Sequence, residues 1–192
     1  MIKPELLVPQ VNTVGLVAHY KLWAGLTTAG EVFDYSLGGA TGTVTGTDIA
    51  PTYPGFSFNG TDDFIDVGNQ GGAIKTIGLW MLSPNVTLVS YLIDLNGTGY
   101  ITIDGAEVDP SGFAASKIYV DGVEAVAVTN DTWHLVGLTI GAAETASDLD
   151  IGRVEGLGLF TGKIGDVMLF DRVLSAADMK SIYEVTRGRY GV

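Results

Sequence analysis

Short apolar or alternating runs, separated by turn-forming residues, recur along the chain from Gly15 onward. Four dipeptides typical of tight hairpins lie between such runs: Asn59-Gly60, Asn96-Gly97, Asp104-Gly105 and Asp121-Gly122. The 27 glycines among 192 residues are about twice the usual share, and they follow no fixed period. This rhythm predicts a sandwich or barrel of short antiparallel strands.

The first run, residues 16–22, alternates with a period of two, which is typical of a strand with one buried and one exposed face. Ala18 and Tyr20 fall on the buried face, and His19 and Lys21 fall on the exposed face. We therefore expect His19 to be an ordinary surface residue. Further strands are predicted at 56–58, 64–67, 76–82, 87–95, 100–103, 117–120, 123–128, 133–140, 149–152 and 163–170. Residues 36–50 read as a Gly/Thr-rich loop or a weak strand.

A single helix is predicted near the end of the chain. Ser175 followed three residues later by Asp178 is similar to a capping box, and the apolar residues that follow repeat at helical spacing. We expect this helix to run to about Val185, with Gly188 as its stop signal.

Composition excludes several classes of function. Hydrophobic residues make up 46% of the chain, which is enough for a full core, and the formal net charge is −12. Such an acidic surface repels phosphate backbones and anionic membranes. We therefore expect neither nucleic acid nor a membrane as a partner. The chain has no cysteine, which excludes disulfides and thiol catalysis. Its first residues show no apolar signal-peptide core, so we expect no classical export signal.

Seven segments resemble, in order, the motifs of one family; they are residues 15–20, 56–68, 76–80, 118–122, 132–134, 151–152 and 162–175. The family is the laminin G-like jelly rolls of the concanavalin A-like superfamily. The resemblance implies an all-β, two-sheet antiparallel jelly-roll sandwich with one short C-terminal helix. We divide the chain into an extended arm (1–14), the domain (15–186) and a basic tail (187–192). Residues 182–191 resemble the ends of phage-encoded members.

Catalysis is not expected. Hydrolases with this fold place three acids on one strand, so that alternation brings the carboxylates to one face of a cleft. Here Glu107-Val108-Asp109 is followed by Pro110, which should break a strand, and Asp148-Leu149-Asp150 lacks a third acid. We also find no Gly-x-Ser-x-Gly nucleophile elbow. His134, which follows Trp133 as in the family, is expected to have a structural role.

Calcium is a possible cofactor that the resemblance implies, although none is required by the fold. Many family members bind calcium at the rim of the sandwich through an Asp in an early loop, and residues 34–39 resemble that loop. The resemblance makes Asp34 a metal candidate, and we add Asp62 and Asp166 as acids that could lie near it, as could Asp63, since calcium prefers oxygen ligands from flexible loops. The alternative is that Asp34 and Asp62 close Asx-turns.

Aromatic residues offer a second kind of site. Trp80 and Trp133 match core positions of the family, whereas Trp23, Tyr35 and Tyr53 lie in or near loops and could form a sugar-binding platform. Four sequons, at Asn59, Asn85, Asn96 and Asn130, are interpreted as turn residues and not as glycan acceptors.

The termini indicate assembly. The arm is apolar and rich in proline, and such arms often pack along a neighbour. The expected assembly contacts are Pro4, Leu6, Leu7, Val8, Pro9, Arg187, Arg189 and Tyr190. With the phage-like ending, this favours a non-enzymatic virion protein, a head-decoration or tail-associated jelly roll, whose partners are shell or tail proteins or further copies of itself. The alternative is a carbohydrate-binding, lectin-like module, with or without a dependence on calcium, that is extracellular or at a cell surface and binds a surface glycan.

Overall fold

Two antiparallel sheets lie face to face in a computed structural model of the chain. The structure describes residues 11–27, 30–36, 38–46 and 49–192. Within these residues the first sheet has eight strands: β1 (Leu16–Lys21), β4 (Ala50–Thr52), β5 (Gly55–Asn59), β7 (Gly71–Leu82), β11 (Lys117–Val120), β12 (Val123–Glu124), β13 (His134–Ala146) and β17 (Thr161–Phe170). The second has seven: β2 (Glu31–Val32), β3 (Gly42–Thr45), β6 (Phe64–Gly68), β8 (Ser90–Asp94), β9 (Tyr100–Asp104), β10 (Glu107–Ser111) and β14 (Leu149–Ile151). A two-stranded ribbon, β15 (Arg153–Val154) and β16 (Gly158–Leu159), follows, and the helix α1 spans Ala176–Tyr190. The predicted sandwich is thereby confirmed.

The strand order places β17 near the centre of the first sheet. That order is β12-β11-β13-β7-β17-β5-β4, and the second sheet runs β10-β9-β8-β14-β6-β3-β2. The first half of β17 pairs with β5, and its second half pairs with β1. β17 therefore joins three neighbours, and any irregularity in it affects β1 as well as β7.

Both faces of the first sheet are covered at its centre. On β7, Ile77 and Leu79 point into the core between the sheets, whereas Trp80 belongs to a second cluster under α1. Trp80 is fully buried, and its indole N–H donates a hydrogen bond to Thr186 Oγ1 at 2.9 Å. The helix thus covers the outer face, which explains why these strands are apolar on both sides.

The start of α1 agrees with its sequence signals. Ser175 is the N-cap, its hydroxyl accepts from the backbone N–H of Asp178, and the Asp178 carboxylate accepts from the Ser175 backbone N–H. This is the reciprocal capping box that the sequence predicts.

The predicted end of α1 is wrong. The helix continues past Val185 and through Gly188 to Tyr190, and Gly191 is the left-handed C-cap with φ 75°. Tyr190 stacks on Trp80 with ring centroids 4.2 Å apart, and this burial compensates for a glycine inside the last turn. Residues 187–190 are therefore the end of the helix and do not follow it as a tail.

The expected break at Pro110 is also wrong. Pro110 lies within β10, opposite Ile101 of β9. Because β10 is an edge strand of the second sheet, a residue without an N–H can be accommodated there. Residues 42–45 form β3, in agreement with the weak-strand alternative for residues 36–50. β7 and β13 are longer than predicted, and β2, β4, β10, β15 and β16 were not predicted.

His134 and the four sequon asparagines make hydrogen bonds that fit the structural roles predicted for them. The buried His134 accepts from the Thr129 backbone N–H through Nε2 at 3.1 Å, and its Nδ1 lies 2.8 Å from the Asp121 carboxylate. The side-chain oxygens of all four sequon asparagines accept backbone N–H groups of neighbouring turns, as the turn interpretation predicts: Asn59, Asn85, Asn96 and Asn130. Across the described residues, no helix combines the length and apolar character that a membrane span requires.

The capping box gives a stability prediction. We expect Ser175→Ala to lower the free energy of unfolding by about 1 kcal/mol, since the N-cap bond is lost. Urea denaturation measures this, with Ser181→Ala, an exposed position within the same helix, as the matched control that changes it by less than about 0.5 kcal/mol. Equal effects of the two substitutions would contradict the capping account.

Candidate functional site

A β-bulge in β17 sets the position of Asp166. The pairing of β17 with β7 shifts between Ile164 and Val167, and both of these residues lie in the core between the sheets. The extra residue places the Asp166 side chain on the outer face, beside the end of α1. At Gly165 a β-carbon would collide with the Tyr190 ring, so glycine is needed for this close approach.

The Asp166 carboxylate accepts hydrogen bonds from four side chains. Oδ1 accepts from His19 Nε2 at 2.9 Å and from the indole Nε1–H of Trp23 at 3.0 Å. Oδ2 accepts from the Tyr190 hydroxyl at 2.9 Å and from the Arg189 guanidinium. The Asp166 backbone N–H also donates to the Tyr190 hydroxyl at 2.8 Å. One buried carboxylate therefore links β17, β1, the turn after β1 and the last turn of α1.

This environment keeps the Asp166 carboxylate ionised. Asp166 is only 1% exposed, and burial alone would raise its pKa, but the hydrogen bond and charge of His19 and the charge of Arg189 outweigh burial and lower the pKa. Because an ionised carboxylate only accepts, His19 Nε2 must carry the proton in their bond. Burial and the Asp166 charge raise the pKa of Tyr190, so its hydroxyl remains a neutral donor.

A pocket of about 360 Å³ opens over this carboxylate. Val11, Leu16 and Val185 give it an apolar side. Its polar and aromatic side is formed by His19, Lys21, Trp23, Tyr35, Asp166 and Arg189. The pocket therefore combines two aromatic rings, those of Trp23 and Tyr35, with the cationic side chains of Lys21 and Arg189, although the chain as a whole is acidic.

The loop that presents Tyr35 is held by Asp34. The Asp34 carboxylate accepts from the backbone N–H groups of His19 at 2.8 Å and Ser36 at 2.7 Å. The Tyr35 backbone N–H in turn donates to the His19 carbonyl at 2.8 Å. The Tyr35 ring is 44% exposed and makes an edge contact with Phe33. Asp34 thus closes a turn, as its alternative interpretation states, and fixes the ring at the mouth of the pocket.

The cations of the pocket lie on its aromatic rings. The Arg189 guanidinium carbon is 4.1 Å from the Trp23 ring centroid. Lys21 Nζ is 4.5 Å from the Tyr35 centroid and 5.9 Å from that of Trp23. Such cation–π contacts hold the rings and charges in place relative to one another.

The structure brings four predicted site residues into this pocket, namely Trp23, Tyr35, Asp166 and Arg189. Tyr53 is 69% exposed in the turn between β4 and β5 and is not part of it. His19 and Lys21 are additional pocket residues. The expectation that His19 is an ordinary surface residue is wrong, because its ring bonds to the buried Asp166 of the neighbouring strand β17 and its side chain is only 12% exposed.

The calcium candidates do not fit a shared metal site. Asp166 is surrounded by Arg189 and by the donor groups of His19, Trp23 and Tyr190, which disfavour a divalent cation. Asp62 accepts from the Asn59 side-chain amide at 2.7 Å, in the hairpin between β5 and β6. Within the described ranges no group of three or more acids or histidines is arranged to hold a metal. The predicted dependence on calcium stays a prediction, and these three carboxylates do not form a site for it.

The expected assembly contacts divide into two groups. Pro4, Leu6, Leu7, Val8 and Pro9 lie outside the described residues. The three others belong to the last turn of α1. Arg187 bonds to Glu184 at 2.9 Å, and Arg189 belongs to the pocket. Tyr190 is only 5% exposed beneath the helix end, so it is a core residue and not a surface for a partner.

A second buried carboxylate lies on the outer face of the second sheet. Asp150 of β14 pairs with Asp94 of β8 on one side and Asp66 of β6 on the other. Residues 148–150 lack a third acid on their own strand, but the neighbouring strands bring Asp66 and Asp94 next to Asp150. A pattern read along a single strand cannot reveal this grouping. Asp150 is 1% exposed and bonds to Arg153 at 2.7 Å through Oδ2, whereas its Oδ1 has no hydrogen-bond partner among the described residues.

The ribbon of β15 and β16 lies against Asp94 and Asp150 of this acidic group, whereas Asp66 is exposed. Both of its strands contact β8, and the Glu155 backbone N–H donates to Asp94 Oδ2 at 3.3 Å. Burial raises the pKa of Asp150 to about 6, although the hydrogen bond and charge of Arg153 act in the opposite direction. The acid is therefore closed off from solvent, in contrast to the open pocket at Asp166.

Solved structures share this fold at low sequence identity. Trypanosoma rangeli sialidase in complex with sialic acid matches 93% of this chain with a TM-score of 0.64 and 15% identity, and the match covers 34% of that chain. Domain 4 of AbnA, a GH43 extracellular arabinanase from Geobacillus stearothermophilus, in complex with arabinotriose, matches 88% of this chain and is itself 98% covered, with a TM-score of 0.55 and 16% identity. This chain thus spans about a third of the sialidase but nearly all of the arabinanase domain.

Neither a family model nor a curated protein matches the sequence. The solved structures support the fold, a two-sheet antiparallel sandwich, and the concanavalin A-like, laminin G-like and phage assignments stay predictions.

Loss of the Asp166 charge should destabilise the protein. We expect Asp166→Asn to cost on the order of 2–3 kcal/mol at pH 7, because Arg189 and His19 lose their carboxylate partner while Arg189 stays partly solvated. The folded-state pKa is lowered, so this stability exists above the unfolded pKa of about 3.9 and is lost as the pH falls through the folded value. Thermal unfolding at pH 7 and pH 3 measures it, with the exposed Asp109→Asn as control; a cost that does not shrink at pH 3 would contradict the account.

Asp150 should show the opposite pH dependence. Its folded pKa of about 6 lies above the unfolded value of 3.8, so protonation favours the folded state. We expect the stability of the wild type relative to Asp150→Asn to fall as the pH rises from 4 to 6 and to level off above that. Urea denaturation across this range measures the difference, and a pH-independent difference would show that the acid is not shifted.

Proposed function

We propose that the chain is a non-catalytic carbohydrate-binding module of the laminin G-like kind and that sugar binds in the pocket over Asp166. The observation that carries this proposal is the grouping of Trp23 and Tyr35 with Lys21 and Arg189 around one open pocket. The pocket takes its residues from β1, from the turn after β1, from the segment after β2 and from α1. The fold therefore brings them together, and no single sequence motif contains them.

The chemistry of the pocket suits a sugar. Ligand pockets combine aromatic or apolar walls with a few fixed polar groups that orient the ligand. A sugar ring has an apolar C–H face that packs on an aromatic ring, and its hydroxyls bond to charged side chains. Here the exposed Tyr35 ring offers the packing surface, and Lys21 and Arg189 offer donors that their neighbours already hold in place.

The compared structures add support of a limited kind. The arabinanase domain, which this chain nearly covers, was solved in complex with arabinotriose, and the sialidase in complex with sialic acid. Identities of about 15% support the fold, and sugar binding by this chain rests on its own pocket. We carry over neither enzyme's reaction, since the chain spans only part of the sialidase.

The absence of catalysis is part of the proposal. Among the described acids, Asp150 has the raised pKa that a general acid needs, but it is only 1% exposed and bonds to Arg153 of the ribbon. Asp166, in the open pocket, has a lowered pKa and cannot donate a proton at neutral pH.

A virion role stays a prediction. It rests on the resemblance of residues 182–191 to phage-encoded proteins and on an arm of which residues 1–10 lie outside the described residues. The predicted location depends on the same choice: a virion for the virion role, and the extracellular side of a cell for the sugar-binding module. A sugar-binding module is compatible with either place.

Replacing Tyr35 should weaken sugar binding. We expect Tyr35→Ala to raise the Kd for a bound oligosaccharide by on the order of tenfold, since the exposed packing surface is lost. The matched control is Tyr53→Ala, which removes a more exposed tyrosine outside the pocket and should leave the Kd unchanged. Isothermal titration with oligosaccharides found on a glycan array measures both.

Equal losses in the two variants would contradict the assignment of this pocket. Release of reducing sugar from a bound glycan by the pure protein would contradict the non-catalytic part of the proposal.

A further inference from the structure

The pocket concentrates positive charge on an acidic protein. The chain has a formal net charge of −12 and only 10 lysines and arginines, yet two of them, Lys21 and Arg189, line this pocket. Among the described residues that line the pocket, Asp166 is the only carboxylate, and it already bonds to Arg189 and His19. Two full positive charges thus face one carboxylate that is itself buried.

Lys21 has no counter-ion in the part of the chain that the structure describes. Its Nζ lies over the Tyr35 and Trp23 rings, and no described carboxylate is within 4.0 Å of it. By contrast, Lys117 at the edge of the same sheet pairs with Glu124 at 3.1 Å. An ammonium group held on aromatic rings at the mouth of a partly apolar pocket favours an anionic ligand there.

Arg189 keeps donors available for the same ligand. Its Nη1 is used by Asp166, its guanidinium is stacked on Trp23, and its side chain is 26% exposed at the pocket. A guanidinium has five N–H donors in a planar fork, which suits a carboxylate better than a hydroxyl. The bond to Asp166 fixes this fork before any ligand binds.

We infer that the pocket selects sugars that carry a carboxylate, such as hexuronic acids, with the sugar ring on Tyr35 and its carboxylate between Lys21 and Arg189. This inference rests on the proposed function and narrows its ligand class. Neutral sugars would share the ring contact but not the charge contacts, so preference for the acidic sugar should fall as salt screens the charges.

The test compares trigalacturonic acid with neutral galactotriose by isothermal titration against the full chain. We expect the acidic trisaccharide to bind at least tenfold more tightly at 50 mM salt and to lose most of that advantage at 500 mM. Lys21→Gln should remove most of the preference, since the charge without a counter-ion is gone. Lys180→Gln, an exposed position on α1, changes the net charge equally and should leave the preference intact.

The outcomes separate the two proposals. If both trisaccharides bind equally and Lys21→Gln changes neither Kd, the acidic preference is overturned while sugar binding stands. If neither of these nor any array glycan binds a folded protein, with the melting temperature as the check on folding, sugar binding itself is overturned. If an oligo-aspartate peptide binds as tightly as trigalacturonic acid, and Lys21→Gln abolishes both, the pocket recognises acidic chains in general and the sugar assignment is overturned.

Discussion

One buried carboxylate determines how the end of the chain joins its beginning. Asp166 bonds to His19 and Trp23 from the first strand and its turn, and to Arg189 and Tyr190 from the last turn of α1. A buried charge is costly unless it is paired and fully hydrogen-bonded, so these partners must meet in one arrangement. The pocket exists because that arrangement leaves a space between β1 and the helix end.

The same carboxylate sets the electrostatics of the pocket. It balances Arg189 and fixes the direction of its guanidinium, but it leaves Lys21 without a counter-ion among the described residues. Trp23 is held from two sides, by its bond to Asp166 and by the stacked Arg189. The aromatic and cationic groups are therefore preorganised, and little conformational entropy remains to be lost when a ligand binds.

Much of the fold could be predicted from local patterns. Alternation in residues 16–22 identified β1 and its core face, and Ser175 with Asp178 identified the start of α1. The pattern failed where a longer-range contact decides. Gly188 reads as a helix stop, but packing of Tyr190 on Trp80 carries the helix past it. Pro110 reads as a strand break, but edge position in the sheet accommodates it.

The site was only partly predictable for the same reason. Trp23 and Tyr35 could be named because loop aromatics are visible in a sequence, and Arg189 because it stands out on an acidic chain. Their association could not be, since His19 meets Asp166 across 147 positions. Alternation placed His19 on the outer face of its strand but could not show that a buried carboxylate of β17 meets it there. Asp150 and its two neighbouring acids likewise come from three different strands.

The indole N–H signals of the three tryptophans test the central claim most directly. In ¹H–¹⁵N spectra of the protein titrated with a bound oligosaccharide, the Trp23 signal should shift, because its ring lines the pocket and its N–H is fixed on Asp166. The Trp80 and Trp133 signals, from rings buried under α1, should stay in place. Saturating binding that leaves the Trp23 signal unchanged would place the sugar elsewhere and contradict the account.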